Sequence, residues 1–368
     1  MPVLIPFFQE NGLDMQDILI LQAAFSASLV ALEVPSGYIA DVIGRKFTLI
    51  IGSVVGAVGF TLYAFSYTFY DFLLVELLMG IGGSLISGAD NALLYDTLLE
   101  LEKEENYQKY AGRLGSVANF SEGIAAIIGG ELALISLRTP LYAEAVLAIL
   151  AVPIAFTLVE PTRHKIEQRE SSFKSILKIV RYALHGHAEI KWLILYSSLV
   201  GISTFTIVWF VQPYFQEVDL HLRYFGIGWA VLNFSVGVFS LLAYRIEGFL
   251  GRRWSLISLI LLSSAAYLLL SQFQALWALP ILFTFYLVRG INGPVLNDYI
   301  NRLVSSDIRA TVLSVKNLVG RLMFVILGPA IGWVNDAYSL SMAFLVLSAI
   351  FLILGLLSLF CLHKNKVL

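Results

Sequence analysis

The sequence predicts an all-α polytopic membrane protein, built as two pseudo-symmetric six-helix bundles with eleven full spans and a stub of the first. Three observations carry this. The 368 residues are 58% hydrophobic and only 14% charged, with a mean hydropathy of +0.81, whereas soluble domains are about 25% charged. Apolar stretches of about 20 residues, the length a helix needs to cross a bilayer, recur from end to end. A polar segment also repeats. Gly37-Tyr-Ile-Ala-Asp41-Val-Ile-Gly44-Arg45-Lys46 is echoed by Tyr244-Arg-Ile-Glu247-Gly-Phe-Leu-Gly251-Arg252-Arg253, with one extra residue between acid and glycine. Internal repeats of this kind are common in transporters. The spans lack the short alternating segments of a β-barrel.

Taken in order, spans are predicted at 18–40, 47–69, 72–98, 109–136, 140–159, 191–214, 224–249, 254–273, 277–303, 310–334 and 338–362. Ahead of them, Met1 to Phe8 is apolar but too short to cross a membrane. It reads as the tail of a first span whose upstream part is missing, through a misassigned start codon or a truncation; the alternative is an eleven-span protein. Residues 1–160 are expected to form the N-terminal bundle, 161–190 a linker, and 191–368 the C-terminal bundle. Within the linker, Phe173, Ile176, Leu177, Val180 and Leu184 follow helical spacing, with Lys174, Lys178 and Arg181 opposite. That pattern fits a basic amphipathic helix on an anionic leaflet or a solvated linker helix.

Loop charges give an orientation. Most of the 24 Lys and Arg fall in one alternate set of loops, including Arg45 and Lys46, Arg252 and Arg253, and Lys364 and Lys366; the other set holds only Arg138 and Arg223. Basic short loops stay cytoplasmic. The 37–46 loop and the C-terminus are therefore expected in the cytoplasm, and residues 9–17 outside.

The form G-x-x-x-D-x-x-G-R-K at 37–46, following Glu33-Val-Pro35-Ser-Gly37, resembles the signature loop between the second and third membrane helices of the major facilitator superfamily. The resemblance implies that family's fold over nearly the whole chain. We expect Asp41, Arg45 and Asp96 to form a charge cluster latching the cytoplasmic side in the outward-facing state. Gly37 would permit close helix contact, Gly44 the tight turn, and Lys46 the second cation. Glu247 and Arg252 would be their counterparts in the second half. The resemblance also implies that Asp41 lies near the start of the penultimate helix, around Arg309-Ala-Thr311. Two comparisons depart from the family pattern. Glu76-Leu-Leu-Met-Gly80-Ile-Gly82 places Glu where proton-coupled members often carry Arg, and Gly123 to Gly130 lacks the proline of a drug-exporter motif.

Ionisable side chains at membrane depth are costly unless paired or wetted. In the first half they are acidic: Glu33, Glu76, Asp90, Glu122 and Glu131. In the second they are largely basic: Arg289, Lys316 and Arg321, with Asp298 lower. Glu33, Asp90, Glu122, Arg289 and Arg321 are the candidates for proton or substrate binding, with Asp90 and Arg289 favoured for a central cavity. On one reading an acid carries a proton and Arg289 or Arg321 meets the substrate; on the other, all are structural pairs. Glu144 reads as interfacial, and the clustered aromatics as membrane-boundary belts.

The single cysteine, Cys361, excludes an internal disulfide, and neither a phosphate-binding loop nor an H-E-x-x-H metal motif is present. The expectation is a non-enzymatic, monomeric secondary transporter of a bacterial inner membrane. It would need no cofactor, metal or nucleic acid, only a small-molecule substrate, the lipid bilayer and the proton gradient. Export of a small organic compound is the first reading. Import of a small solute, with an anion among the options, is the second, and a truncated inactive or sensor-type relative the third.

Overall fold

The computed structural model describes residues 2–161, 186–304 and 308–365. The predicted amphipathic linker helix lies outside the described residues. Every described helix sits within a few residues of a predicted one: α1 Leu4–Glu10, α2 Met15–Ile43, α3 Arg45–Phe65, α4 Phe69–Glu100, α5 Tyr107–Ala133, α6 Thr139–Thr157 and α7 Ala188–Glu217. The run Arg223–Gln272 is broken at Gly251, whose φ of 71° is not helical, so its halves are α8 (223–250) and α9 (252–272). They are followed by α10 Leu282–Asn301, α11 Arg309–Ala337 and α12 Leu340–Lys364.

Nine helical stretches among the described residues are long and apolar enough to cross a bilayer, one of them holding both α8 and α9. The long helix outside that set is α5. Arg113, Ser116, Asn119, Ser121 and Glu122 dilute its apolar character, and every residue from Gly112 to Glu122 is exposed.

Local chemistry sets the helix ends. Asp14 caps α2 by accepting from the N–H of Asp17 at 2.8 Å. Thr68 and Asp71 form a reciprocal box at the start of α4, and Ser339 caps α12. Such caps satisfy donors that the first helical turn leaves without partners. Prolines 35, 153, 213, 294 and 329 sit inside helices, as membrane helices tolerate when neighbours recover the freed backbone groups.

The short α1 is held by aromatic packing. Phe7 and Phe8 are buried against Tyr63 and Phe72, with ring centroids 5.6 Å apart for Phe7–Phe72 and 5.1 Å for Phe8–Phe72. The N–H of Ile5 donates to Gln212 Oε1 on α7 at 2.9 Å, so α1 bridges the halves.

Helices α2, α3, α4 and α6 pack together, as do α7 to α12. The halves meet along α2–α11 and α5–α8. On the second of these seams, Gly130 and Gly226 bring backbone against backbone: a Cβ on Gly226 would overlap the carbonyl oxygen of Ala126, and one on Gly130 would stand 3.0 Å from the Gly226 Cα. These contacts lie at the end of the molecule remote from residues 37–46, hereafter the far end.

Candidate functional site

The loop at 37–46 joins two antiparallel helices by one residue. Gly44 ends α2 and precedes α3 with a φ of 128°, a backbone region that L side chains rarely adopt. Arg45 then opens α3 with its guanidinium 2.7 Å from the Asp96 carboxylate, near the end of α4, and 3.9 Å from Asp41. The side chains of Arg45 and Asp96 are 15% and 25% exposed and that of Asp41 is 62% exposed, so the Asp96 pair is the better shielded. Lys46 enters through its backbone N–H.

Glu160, which the sequence reading did not single out, completes this loop. Its carboxylate accepts from the N–H of Arg45 at 2.9 Å and of Lys46 at 2.6 Å, capping α3 from beyond the end of α6. A Cβ on Gly44 would stand 3.3 Å from Glu160 Oε2, so the glycine also makes room for the cap. The available signal was an acid placed just past the last turn of α6, ahead of Pro161.

One expectation is corrected here. Gly37 does not provide a close helix contact: a Cβ there would meet nothing within 4 Å. In the second half, the counterparts Glu247 and Arg252 each meet partners from other helices. Glu247 accepts from the Tyr299 hydroxyl at 2.7 Å, while Arg252 lies 4.8 Å over the Tyr299 ring and 3.6 Å from Glu189. Tyr299 on α10 therefore stands between the two charges, and Gly251 at positive φ repeats the turn of Gly44. The expected approach of Asp41 to the start of α11 falls on Arg309 and Ala310, whose side chains lie outside the described residues.

The deep candidates separate. Asp90 is exposed and bonded to its own neighbour, accepting from Asn91 Nδ2 at 2.9 Å. Glu33, Glu122, Arg289 and Arg321 make no ion pair among the described residues. Glu33 and Arg321 are half-buried, and Glu122 and Arg289 exposed. Lys316 donates to Asn297 Oδ1 at 2.6 Å, fastening α11 to α10. Glu131 pairs with Arg223 at 3.3 Å across α5 and α8.

The most deeply buried acid among the described residues is instead Glu76, 5% exposed on α4. Its Oε1 accepts from Gln22 Nε2 at 2.8 Å and from the Tyr63 hydroxyl at 3.0 Å. Both donors are neutral. Glu76 was visible in sequence as a departure from the family pattern; what was not visible is that α2 and α3 supply two donors to one of its oxygens. The three residues border a cavity of about 790 Å³ between α2 to α6 and α8, walled by Phe25, Met79 and Trp229 and carrying Glu76, Glu122 and Glu144 as its charged side chains. Neither Arg289 nor Arg321 lines it. No group of three or more His, Cys, Asp or Glu that could hold a metal occurs among the described residues.

Comparison with known proteins agrees with this architecture. Residues 1–327 match the model of the family described as the Major Facilitator Superfamily. The chain is 22% identical over 332 residues to the quinolone resistance protein NorA of Staphylococcus aureus (strain MRSA252), covering 88% of this chain and 83% of that one. It is 21% identical over 360 residues to the uncharacterized MFS-type transporter YxaM of Bacillus subtilis (strain 168), covering 96% and 89%. Among solved structures, the nucleoside transporter NupG superposes with a TM-score of 0.79 at 17% identity, over 96% of this chain and 92% of that one; at that identity the likeness speaks for the fold. By the family match, with the twelve α-helices among the described residues in keeping with it, the chain belongs to the major facilitator superfamily and is a small-molecule transporter rather than an enzyme.

Proposed function

We propose that the chain is a proton-driven exporter of a small organic molecule, working as a monomer by alternating access in a bacterial inner membrane. The 37–46 loop and the C-terminus face the cytoplasm. The observation that carries this reading is the asymmetry of the α5–α8 seam. Toward the far end, α5 and α8 touch backbone to backbone at Gly130 and Gly226. Toward the signature loop, α5 exposes Arg113, Ser116, Asn119 and Glu122. A helix open on that half and packed on the other is what a carrier needs, because a water-filled path must reach the site from one side while the other is sealed.

The charge of the cavity favours an organic molecule over an anion. The deep cations Arg289 and Arg321 would favour an anionic substrate whichever way it moved, yet the charged groups at the cavity wall are carboxylates. The relative called a quinolone resistance protein points the same way, toward a drug-like compound. For the coupling proton we assign Glu76. A buried bare carboxylate is expensive, and a proton on Oε2 would remove that cost while Oε1 keeps both its donors.

The test is reconstitution in liposomes with an imposed pH gradient and a fluorescent quinolone as probe. The expected result is quinolone movement against its own gradient that stops when a protonophore collapses the pH difference. Movement indifferent to the protonophore would remove proton coupling. A chain that moves neither quinolone nor protons would be the inactive or sensor-type relative.

A further inference from the structure

We propose that Asp336 is a gating residue: from the end of α11 its carboxylate seals the far end of the transport path by capping the first turn of α2, and it must let go once in each cycle. The inference rests on the alternating-access reading above.

The geometry is specific. Asp336 Oδ1 accepts from the N–H of Met15 at 3.2 Å, and Oδ2 from the N–H of Gln16 at 2.6 Å. The first turn of a helix has N–H groups without intrahelical partners and carries partial positive charge. A helix ordinarily meets this need from its own chain, and α2 does so in part, because Asp14 takes the N–H of Asp17. The two donors just before it are taken by a residue from the opposite half. The cap of α2 is thus divided between the halves, and separating them breaks it.

Its surroundings fit a contact made to be remade. Gly332, one turn before Asp336, lies directly on the α2 backbone: a Cβ there would stand 2.6 Å from the Gln16 Cα. The fit is close enough to register the two helix ends. Asn335 donates to Asp336 Oδ1 at 2.9 Å and holds the carboxylate in place. Asp336 is nevertheless exposed, so water can take over both partners when they part, and neither is stranded in hydrocarbon. Asp14 and Asp17 on the same turn oppose a third negative charge, which keeps the contact from becoming permanent. Besides the buried bond from the Ile5 N–H to Gln212 Oε1, which ties α1 and not α2 or α11, two other polar ties at this end are weaker in kind. Arg223 and Glu131 are each more than half exposed, which makes an ion pair contribute little, and Gln216–Gln9 is a neutral amide pair.

The same two helices carry a second carboxylate at their opposite end. Helices α2 and α11 run antiparallel, so the end of α2, with Asp41, lies at the level where α11 begins, just as the end of α11, with Asp336, lies where α2 begins. One carboxylate near each helix end can therefore secure one side of the membrane while the other is released.

The experiment uses the full chain with Cys361→Ser as parent. A double variant, Gln16→Cys with Asp336→Cys, places thiols where the contact now stands. Oxidation is expected to lower quinolone transport in liposomes at least tenfold, and reduction to restore it. Oxidised and reduced forms running at the same rate would overturn the proposal, since the far end would then not need to open. In a second arm, spin labels at Tyr70 and Leu276, exposed on opposite halves, report separation of the far end. Asp336→Ala is expected to shift the distance distribution toward longer values and lower transport several-fold, with Asp336→Glu recovering part of both. Distances and rates like the parent's would also overturn it. Labels that separate on substitution in a chain that moves no quinolone would leave the clasp standing and count against the transport reading instead.

Discussion

The guanidinium of Arg45 stands 2.7 Å from the carboxylate of Asp96, fastening the first residue of α3 to the end of α4. Because both side chains are largely shielded, this pair lies between exposed ion pairs, at ~0–1 kcal/mol, and buried ones, whose disruption costs ~3–5 kcal/mol. Asp96→Asn is expected to lower the unfolding temperature in detergent and the transport rate several-fold. Asp41→Asn, at an exposed position 3.9 Å from Arg45, should leave the unfolding temperature nearly unchanged while still cutting transport. Paired thermal unfolding and liposome rates on the two variants check this; equal stability losses would mean that shielding does not rank them.

Glu160 holds the N-terminus of α3 through two backbone N–H groups. Glu160→Ala should cost about 1 kcal/mol, the usual loss for an N-terminal cap, read as a lowered unfolding midpoint with normal membrane insertion. A midpoint equal to the parent's would show that solvent replaces the carboxylate without loss.

At the α5–α8 seam, Gly226→Ala drives a methyl into the Ala126 carbonyl and should destabilise by about 1–3 kcal/mol, as overpacking does. Gly237→Ala, on the same helix, meets nothing within 4 Å and should instead stabilise by up to ~1 kcal/mol through helix propensity. Opposite signs of the shift in unfolding temperature are the expected outcome. A loss at both positions would mean that the seam is not what makes Gly226 special.

Glu76→Gln keeps an acceptor for Gln22 and Tyr63 but cannot take up a proton. It should fold and bind quinolone as the parent does, while losing accumulation driven by a pH gradient. Its rate should also depend less on pH than the parent's. Glu76→Ala strands both donors and should cost about 1–3 kcal/mol for each. Gradient-driven accumulation at the parent's level in the Gln variant would move the proton to another acid.

Much of this was legible in the chain. Helix positions followed from runs of apolar residues, because in a bilayer the backbone must satisfy itself and a helix is the local way to do so. The turn at Gly44, its repeat at Gly251 and the proximity of Asp41, Arg45 and Asp96 followed from spacing around short loops. Gly37 was misread because a glycine in a helix shows where a close approach is allowed, not whether a neighbour comes near. The partners of Glu247 and Arg252 were not legible, because Tyr299 and Glu189 reach them from other helices.

What the sequence determined alone is the set of membrane helices, their order and the twofold repeat, since these depend on the hydropathy of contiguous residues. What the tertiary structure decided is which polar groups answer one another: Gln22 and Tyr63 on Glu76, Glu160 on α3, and Asp336 on α2. Each joins helices that are separate in the chain. Which donor meets which acceptor is set by how the helices rotate and slide when they pack, and hydropathy, which counts only how apolar each stretch is, carries no record of that rotation.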